Sequence, residues 1–554
     1  MYTILIGGAA GQGIDTTASV LEKLLKRSGY HVFTVRDIMS RIRGGHNFSL
    51  IRFGDEPVLS HSYALDGIIA LNDETVELHK AQLSEEGFIL CDSELSTEDP
   101  RAVKIDMAGM AKEIGNTRVA GSIAVGAVLK LFGESLDHAE KVFRTSLKEK
   151  YIEINMQAIR RGHDSVDTRF ASKPGDCGDY MTISGSQAVA LGAIAGGLRC
   201  YTAYPMSPST PILVYLASKA DEADIVVEQA EDEIAAINMA IGASYAGARA
   251  MTGTSGGGFS LMVEAWGLAG ITETPLVVVD VQRPGPATGL PTRTEQGDLQ
   301  FVISASQGEF PRLVIAFKHH TDAFYQTIRA LNLAEKYQIP VMLLSDQYLG
   351  DATATVKPFD IDGIELTGPA AEKDYDGEYL RYKLTESGVS PRLIPGKTEH
   401  LVAADSDEHD ERGFITESAE VRDAMVEKRM RKLTGLIEEL EEPEFIGPED
   451  FDTLLVGFGS TYGAIREAVG LLNESNNGRY AALVFGDVYP LPQKEITEKA
   501  AKAERIVDVE QNATGQLAQL IRQETGIECT DKILKYDGRQ ITAMEIVDRM
   551  GESR

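Results

Sequence analysis

Short apolar runs alternate with longer segments of mixed or small residues along most of the chain, a pattern typical of alternating strands and helices. The apolar run at residues 2–6 predicts a buried strand, and the glycine-rich residues 7–13 predict the turn into a helix that reaches Arg27. Further strands are predicted at residues 67–71 and 87–91, and helices at residues 122–131 and 138–160. Together they predict an N-terminal α/β domain over residues 1–170.

The same alternation resumes after a linker at residues 171–182 that is rich in Lys, Pro, Gly and Asp. Strands are predicted at residues 224–227, 248–252, 276–281 and 341–344. With helices between them, these strands predict a doubly wound parallel sheet over residues 183–359. A last α/β domain is predicted over residues 448–554, with strands at 481–485 and 505–509.

Residues 360–447 differ from the rest in being polar and acidic. Their composition predicts an exposed excursion, followed by a charged surface helix over residues 417–442. The acids around His409 leave two interpretations open, a metal site and a solvated loop. The solvated loop is favoured because nothing in the sequence fixes a ligand geometry.

The chain has 554 residues and a formal net charge of −30, which argues against broad binding to nucleic acid or to an anionic membrane. No apolar run approaches the length of a membrane span, and no basic leader precedes the first strand, so a cytoplasmic protein is expected. The four cysteines, at positions 91, 177, 200 and 529, include no C-x-x-C pair. We therefore expect neither an iron–sulfur cluster nor another metal site in this chain.

Two features of the N-terminal domain could hold an anion. The glycine turn at residues 7–13 could cradle a phosphate-bearing group such as part of coenzyme A, or be a tight turn with no ligand. Its spacing fits neither the dinucleotide fingerprint nor the P-loop. Four arginines, Arg36, Arg41, Arg43 and Arg52, could hold an anion or line a subunit interface, and the interface is favoured.

The best candidate for a site lies between residues 204 and 258. Three prolines restrict the loop at residues 204–211, and a glycine-rich loop at residues 252–258 ends the stretch. Between the loops, Glu231, Asp232 and Glu233 stand at the start of a helix of small residues. Taken alone, acids at this position are best explained by helix capping.

A family resemblance favours a second explanation. The loop Tyr-Pro-Met-Ser-Pro-Ser-Thr at residues 204–210 resembles the Tyr-Pro-Ile-Thr-Pro-Ser-Ser loop of the 2-oxoacid:ferredoxin oxidoreductases. The acidic run, the Thr-Ser-Gly-Gly-Gly loop, Gln-Arg-Pro-Gly-Pro, Gly-Leu-Pro-Thr-Arg and Glu-Gln-Gly-Asp follow in that family's order. The resemblance is strongest to the α subunit of the 2-oxoglutarate type, with a γ domain fused at its N-terminus.

The resemblance implies a fold with three parts: a γ-type α/β domain, a thiamine diphosphate-binding-fold pyrimidine domain, and a transketolase C-terminal-like α/β domain. It implies that thiamine diphosphate is shared with a β subunit. No Gly-Asp-Gly motif is evident here, so the diphosphate grip, Mg²⁺ and a [4Fe–4S] cluster are assigned to that partner. The other implied partners are ferredoxin, coenzyme A and the 2-oxoacid, in a dimer of αβ heterodimers.

The resemblance also assigns roles to individual residues. Glu233 matches the glutamate that hydrogen-bonds ring nitrogen N1′ of the cofactor and promotes its imino form. Ser207, at a position where the family commonly has threonine, and Arg283 match residues that hold the 2-oxoacid carboxylate. Further cofactor contacts are implied for Tyr204, Pro205, Thr254, Ser255 and Gly256, and weaker substrate contacts for Arg293 and Thr210.

The implied reaction is coenzyme A-dependent oxidative decarboxylation of 2-oxoglutarate to succinyl-CoA and CO₂, with electrons passed to ferredoxin and possible reversal. Two alternatives stay open. The same type of complex could act on pyruvate, branched-chain or aromatic 2-oxoacids, or the chain could be a non-catalytic scaffold subunit that binds a nucleotide.

Overall fold

The computed structural model describes residues 1–39, 45–368, 375, 377–475 and 479–552. The chain divides into two compact units. Unit 1 contains Met1–Ser184 and Asp351–Pro358, and unit 2 contains Gly185–Gly350 and Phe359–Arg554. Arg41 and Arg43 of the predicted arginine cluster lie outside the described residues.

Unit 1 begins with alternating strands and helices. Up to residue 184 its elements are β1 (Tyr2–Ala9), α1 (Ile14–Arg27), β2 (His31–Asp37), β3 (His46–Gly54), β4 (Leu65–Ala70), α2 (Asp73–His79), β5 (Leu83–Asp92), β6 (Ala102–Ile105), α3 (Met107–Ile114), α4 (Ala120–Leu131), α5 (Ala139–Ser146), α6 (Ile152–His163) and β7 (Met181–Ser184).

The central part of the chain supplies most of unit 2 and then returns to unit 1. Its elements are α7 (Gly185–Ala195), β8 (Cys200–Ala203), α8 (Thr210–Ala223), β9 (Val226–Gln229), α9 (Glu233–Tyr245), β10 (Ala250–Thr254), α10 (Gly256–Ile271), β11 (Leu276–Gln282), α11 (Leu299–Ser304), β12 (Leu313–Ala316), α12 (His320–Tyr337), β13 (Pro340–Asp346), α13 (Gln347–Asp351) and β14 (Thr353–Val356).

The last part of the chain belongs to unit 2. Its elements are α14 (Ala419–Ile437), β15 (Glu444–Ile446), β16 (Thr453–Phe458), α15 (Tyr462–Ser475), β17 (Tyr480–Phe485), β18 (Asp487–Tyr489), α16 (Lys494–Ala500), β19 (Arg505–Glu510), α17 (Gln516–Thr525), β20 (Asp531–Leu534) and α18 (Ala543–Glu552). None of the helices within the described residues combines the length and the apolar character that crossing a bilayer requires.

Unit 1 is built on a mixed sheet with the strand order β6-β5-β4-β1-β3-β2-β14-β7. Strand β1 pairs parallel to β4 and antiparallel to β3. Apolar side chains such as Ile4, Ile6 and Leu21 are buried in a core formed with the flanking helices, which include α1, α4 and α6. This unit includes residues 1–170, over which the sequence predicts an α/β domain.

Unit 2 contains a doubly wound sheet with the order β18-β12-β13-β11-β10-β8-β9, in which every pairing except β12 with β18 is parallel. Strand β11 is buried along its whole length, as expected of a parallel strand with helices on both faces. A second sheet has the order β15-β17-β16-β19-β20. These sheets confirm the predicted α/β fold class.

The two sheets of unit 2 share one hydrophobic core, to which β11, β13, β16 and β17 contribute Val278, Leu344, Val456 and Leu483. Strand β18, which follows β17, also pairs with β12 at the edge of the first sheet. The segments 183–359 and 448–554, which the sequence predicts as separate domains, therefore pack as one unit because their apolar surfaces cover each other.

The predicted linker at residues 171–182 is only partly a linker. Cys177 is fully buried, with Sγ 3.2 Å from His31 Nδ1, and β7 begins at Met181. Strand β7 pairs with β14, which in turn pairs with β2. The boundary falls at residue 184 because this pairing holds the segment in the sheet of unit 1, and residues 351–358 complete that sheet.

The acidic segment 360–447 is only in part the exposed excursion that its composition predicts. His409 is fully buried, with its ring centroid 4.0 Å from that of Tyr382, and its Nδ1 lies 3.0 Å from the carbonyl oxygen of Asp407. Glu408 pairs with Arg422 and Arg429. His409 is therefore not in a solvated loop, and the carboxylate of the neighbouring Glu408 is already paired with two arginines.

The prediction of a surface helix is also wrong in part. Helix α14 buries Met425, Lys428, Arg429, Lys432 and Leu436. Two of these, Lys428 and Lys432, contact the buried carboxylate of Glu273 at 2.6 and 2.5 Å. The charged composition of α14 predicts a solvated helix. The lysines can be buried because Glu273, which is distant in the sequence, neutralises their charge.

Candidate active site

The candidate cleft of unit 2 is the edge of its first sheet at which loops follow the carboxyl ends of parallel strands. Residues 204–209 follow β8, residues 255–258 follow β10, and residues 283–289 follow β11. In an open parallel sheet, ligands bind at this edge, where the loops leave the strands. The fold therefore brings together three of the segments that the sequence predicts as a site.

Glu233 is the first residue of α9 and is 5% exposed. The residue that caps this helix is Asp232, whose Oδ1 accepts a hydrogen bond from the Ala235 backbone N–H at 2.7 Å. Because Asp232 provides the cap, capping does not explain Glu233. Its carboxyl group lies against the first turn of α10, where a Cβ added at Gly258 would be 2.8 Å from Glu233 Oε1.

The glycine turn that meets Glu233 consists of Gly256, Gly257 and Gly258, at the start of α10. A Cβ at Gly258 would also lie 2.0 Å from Thr254 Oγ1, so the turn leaves no room for a side chain there. Ser255 is 1% exposed, and its Oγ has no hydrogen-bond partner among the described residues. A ligand at this turn would therefore meet backbone without side chains and the unpaired hydroxyl group of Ser255.

The proline-rich loop is fixed to the cleft by Arg283. Its Nη1 donates a hydrogen bond to the backbone oxygen of Ser207 at 2.6 Å. Burial lowers the pKa of Arg283, and the negative charge of Asp298 opposes that shift. Met206 reaches the glycine turn, since its Cε would be 3.4 Å from a Cβ at Gly257.

The remaining predicted residues of this loop differ in exposure. Ser207 is exposed, Tyr204 is 39% exposed, and Pro205 is partly buried. Thr210 begins α8, is partly buried, and donates its backbone N–H to the Met206 carbonyl at 3.1 Å. Tyr204 and Ser207 are therefore the most accessible of these residues.

Arg293 is turned toward the last part of the chain. A Cβ at Gly538 would be 3.0 Å from Arg293 Cβ and 3.3 Å from its Cγ, so the stem of the side chain packs there. The Arg293 backbone N–H donates to the Leu290 carbonyl at 3.1 Å. The glycine turn thus contacts Glu233 and Thr254, and Arg283 holds the backbone of Ser207, whereas Arg293 packs beside Gly538.

The glycine turn of unit 1 is partly filled by its own chain. Gln12 Oε1 accepts from the Ala9 N–H at 2.6 Å, and Gln12 Nε2 donates to the Leu71 carbonyl at 3.1 Å. Gly11 and Gly13 adopt φ values of 93° and 83°, and nothing lies within 4 Å of a Cβ added at either. The side chain of Gln12 therefore occupies the Ala9 N–H, a donor that a bound phosphate group could otherwise use.

Comparison with known proteins assigns the two units. Residues 191–428 match the family described as pyruvate flavodoxin/ferredoxin oxidoreductase, thiamine diphosphate-binding, and residues 3–165 match pyruvate ferredoxin/flavodoxin oxidoreductase. The 2-oxoacid:ferredoxin oxidoreductase subunit alpha of a Sulfolobus species is 32% identical over 99% of this chain and 96% of its own length. The chain belongs to the 2-oxoacid:ferredoxin oxidoreductase α subunits.

Two further relatives of this α subunit carry 2-oxoglutarate in their names. The 2-oxoglutarate oxidoreductase subunit KorA of Mycobacterium tuberculosis is 31% identical over 87% of this chain and 77% of its own. A structure of the 2-oxoglutarate:ferredoxin oxidoreductase from Magnetococcus marinus, with 2-oxoglutarate, coenzyme A and succinyl-CoA bound, aligns with a TM-score of 0.93 and 32% identity. It covers 100% of this chain and 99% of that one.

The residues of this α subunit fit the pyrimidine end of thiamine diphosphate. A buried carboxyl group beside a glycine turn can hydrogen-bond a ring nitrogen, and the unpaired Ser255 hydroxyl offers a further polar contact. Within the described residues, no group of three or more His, Cys, Asp or Glu side chains is placed to hold a metal ion. The fit therefore concerns the aminopyrimidine.

Two carboxyl groups behind the glycine turn, Asp280 and Asp298, were not predicted as site residues, although Asp298 ends the Glu-Gln-Gly-Asp motif. Asp280 is fully buried in β11, and the Asp298 carboxyl group lies directly over Gly256. The available signal was an acid inside the otherwise apolar run of β11, since a buried acid needs a partner. The partner could not be chosen from the sequence.

Proposed function

We propose that this α subunit activates thiamine diphosphate for the coenzyme A-dependent oxidative decarboxylation of 2-oxoglutarate to succinyl-CoA and CO₂, with electrons passed to ferredoxin. The observation that carries the proposal is the buried Glu233 carboxyl group, which is free of helix capping and lies against Gly258. The two relatives with 2-oxoglutarate in their names support this substrate.

Thiamine diphosphate, when bound, supplies the nucleophilic carbon and the electron sink that the decarboxylation needs. Glu233 would hold a proton at the ring nitrogen N1′ and so favour the imino form of the aminopyrimidine. Gly256–Gly258 would let the ring approach the backbone, and Thr254 and Ser255 would line the same wall. Tyr204 and Pro205 would cover the ring from the proline-rich loop.

The substrate carboxylates need cationic or hydroxyl partners. Arg283 is the best candidate, since a guanidinium binds a carboxylate with two parallel hydrogen bonds and the Ser207 contact uses only Nη1. The Ser207 hydroxyl group would add a third hydrogen bond to the carboxylate. Arg293 and Thr210 are weaker candidates for the second carboxylate of 2-oxoglutarate.

A partner chain would complete the cleft. Helices α9 and α10 meet at the contact between Glu233 and Gly258, and each exposes large apolar side chains. Ile234 is 50% exposed, Met239 42% and Leu261 53%. We assign this surface to a β subunit that carries the diphosphate grip, Mg²⁺ and a [4Fe–4S] cluster, in a dimer of αβ heterodimers.

A substrate panel on the reconstituted complex tests the proposal. With coenzyme A present and methyl viologen as electron acceptor, kcat/KM is expected to be highest for 2-oxoglutarate among 2-oxoglutarate, pyruvate, branched-chain and aromatic 2-oxoacids. A higher value for pyruvate would overturn the substrate assignment while leaving the reaction class intact. Absence of turnover with every 2-oxoacid, in a complex that binds thiamine diphosphate, would overturn the reaction.

Arg283→Lys is expected to lower kcat/KM for the 2-oxoacid by about 10- to 100-fold, because a lysine cannot hold Ser207 and a carboxylate in the same fork. The measurement is steady-state reduction of methyl viologen by the complex. Arg199→Lys is the matched control, since Arg199 pairs with Asp224 and its side chain is 56% exposed. An equal loss in both variants would contradict the assignment.

Gly258→Ala is expected to lower turnover by about tenfold, because its methyl group would displace Glu233 and Thr254 together. Gly470→Ala provides a control in helix α15, where nothing lies within 4 Å of the added Cβ. That control should keep full turnover and gain about 0.5–1 kcal/mol of helix stability. Wild-type turnover in Gly258→Ala would argue against a fixed Glu233 carboxyl group.

A further inference from the structure

Two buried carboxyl groups lie behind the glycine turn, and the proposed function does not use them. Asp280 is 0% exposed in β11, where it is paired in register with Thr254 of the neighbouring strand. Asp298 immediately precedes α11, and its backbone N–H donates to Gln282 Oε1 at 3.1 Å. The carboxyl groups of Asp280 and Asp298 are within hydrogen-bonding reach of each other.

Two buried carboxyl groups this close to each other favour holding one proton between them. Neither oxygen of Asp280 accepts a hydrogen bond from an N–H or O–H group of the described residues, and neither does Asp298 Oδ2. Two carboxylates that face each other in a buried site cannot both ionise. Burial and the neighbouring charge raise the pKa of Asp280 well above its ordinary value, and burial raises that of Asp298 to about 6. Asp280 is therefore the acid that donates, and Asp298 is the carboxylate.

The Asp298 carboxylate faces the start of α10. A Cβ at Gly256, the first residue of that helix, would lie 2.4 Å from Asp298 Oδ2 and 2.7 Å from Oδ1. The side chain of Ser255, which precedes the helix, makes no capping hydrogen bond. A negative charge at a helix N-terminus is favourable, so the Asp298 carboxylate stabilises the first turn of α10 in this position.

Asp298 and Glu233 contact opposite ends of one short turn. Asp298 lies over Gly256, and Glu233 lies against Gly258. A shift of Gly256 would carry Gly258 with it, because both belong to the first turn of the same helix. The position of the Glu233 carboxyl group is then coupled to a residue that need not touch the cofactor.

We propose that Asp298 is a positioning residue: its carboxylate, held by a hydrogen bond from the Asp280 carboxylic acid, fixes the glycine turn against which Glu233 acts on the pyrimidine ring. The inference rests on the proposed function, since it assumes that Glu233 activates thiamine diphosphate. It goes beyond that function by assigning a task to two acids that lie behind the cleft wall.

Exchange of the C2 proton of bound thiamine diphosphate tests this role directly. The assembled complex is transferred to D₂O and quenched in acid at short times, and the remaining proton is measured by NMR. Asp298→Asn is expected to slow exchange by about tenfold, because it keeps the size of the side chain and removes the charge. Asp280→Val should cause a similar loss, and Asp280→Asn a smaller one, because its amide can still donate to Asp298.

The same samples separate this inference from the proposed function. Glu233→Gln should slow exchange more than any other variant, and exchange at the wild-type rate in Glu233→Gln would overturn the proposed function itself. Slow exchange in Glu233→Gln together with wild-type exchange in Asp298→Asn would overturn only the positioning role. Calorimetry with thiamine diphosphate is expected to give similar affinities for Asp298→Asn and wild type. A loss of affinity as large as the loss in exchange rate would also overturn the role.

A second set of variants applies if Asp298→Asn fails to assemble. Gly256→Ala places a methyl group against the Asp298 carboxylate and is expected to slow exchange. In an Asp298→Ala background the methyl group has room, so the double variant should exchange no more slowly than Asp298→Ala alone. Additive losses in the double variant would show that Gly256 and Asp298 act independently and would overturn the proposal.

Discussion

Glu233→Gln in the assembled complex is expected to reduce turnover with 2-oxoglutarate by about 10²- to 10⁴-fold, the range typical for losing a group that holds or moves a proton. Glutamine preserves the size of the side chain, so the packing against Gly258 should survive. An amide cannot share a proton with a ring nitrogen in the way that a carboxyl group does. Methyl viologen reduction in the presence of coenzyme A gives the rate, and thermal unfolding gives the stability of the same sample.

The neighbouring acids provide the controls for this prediction. Glu231→Gln changes an exposed acid two residues away and should leave turnover near the wild-type value. Asp232→Asn can still accept the Ala235 N–H, so α9 should keep its first turn. Unchanged turnover in Glu233→Gln would favour a non-catalytic scaffold subunit. An equal loss in all three variants would point to general damage at the start of the helix.

Local patterns predict the parts of the fold that depend on neighbours in sequence. The apolar run at residues 276–281 corresponds to β11, at Leu276–Gln282, because a strand buried on both faces needs an unbroken apolar sequence. The acids before a small-residue helix correspond to the start of α9 at Glu233. Their separate tasks could not be predicted: Asp is the better N-cap residue, but any acid is favoured in a first helical turn, so composition does not show which one lies beside the glycine turn.

Contacts across long stretches of sequence could not be predicted from the same patterns. The hydrogen bond from Arg283 to the Ser207 carbonyl joins two loops that the sequence suggested only as separate substrate contacts. The approach of Asp298 to Gly256 depends on the path of the loop between β11 and α11. Such pairs are set by tertiary packing, and the sequence carries only an acid or a glycine whose partner is unspecified.

The acidic segment gives the clearest case of a pattern that misleads. A charged helix is normally solvated, so α14 was predicted to lie on the surface. The structure instead buries Lys428 and Lys432 against Glu273. Lysine is rarely buried without a partner, and here the partner is a glutamate that follows α10. The composition of one segment cannot reveal a counter-ion supplied by another.

Glu273→Gln is expected to lower the free energy of unfolding of unit 2 by about 3–5 kcal/mol, the usual cost of removing one partner from a buried ion pair. Glu273 is 1% exposed, and its oxygens lie 2.6 Å from Lys428 Nζ and 2.5 Å from Lys432 Nζ. Burial alone would raise the pKa of Glu273, but Lys432, Lys428 and Arg381 together hold it well below its usual range. Urea denaturation followed by far-ultraviolet circular dichroism measures the loss.

Replacing Glu273, Lys428 and Lys432 together should lower the free energy of unfolding much less than replacing Glu273 alone. Glu273→Leu combined with Lys428→Met and Lys432→Met removes the charges together, so stability should stay close to wild type or rise. Burial lowers the pKa of Lys432 to about 7, whereas in the unfolded chain it is near 10.5. Between these values the unfolded state binds the extra proton, so stability should rise with pH, and Lys432→Met should reduce that slope. A Glu273→Gln variant as stable as wild type would mean that the two lysines are neutral without their carboxylate.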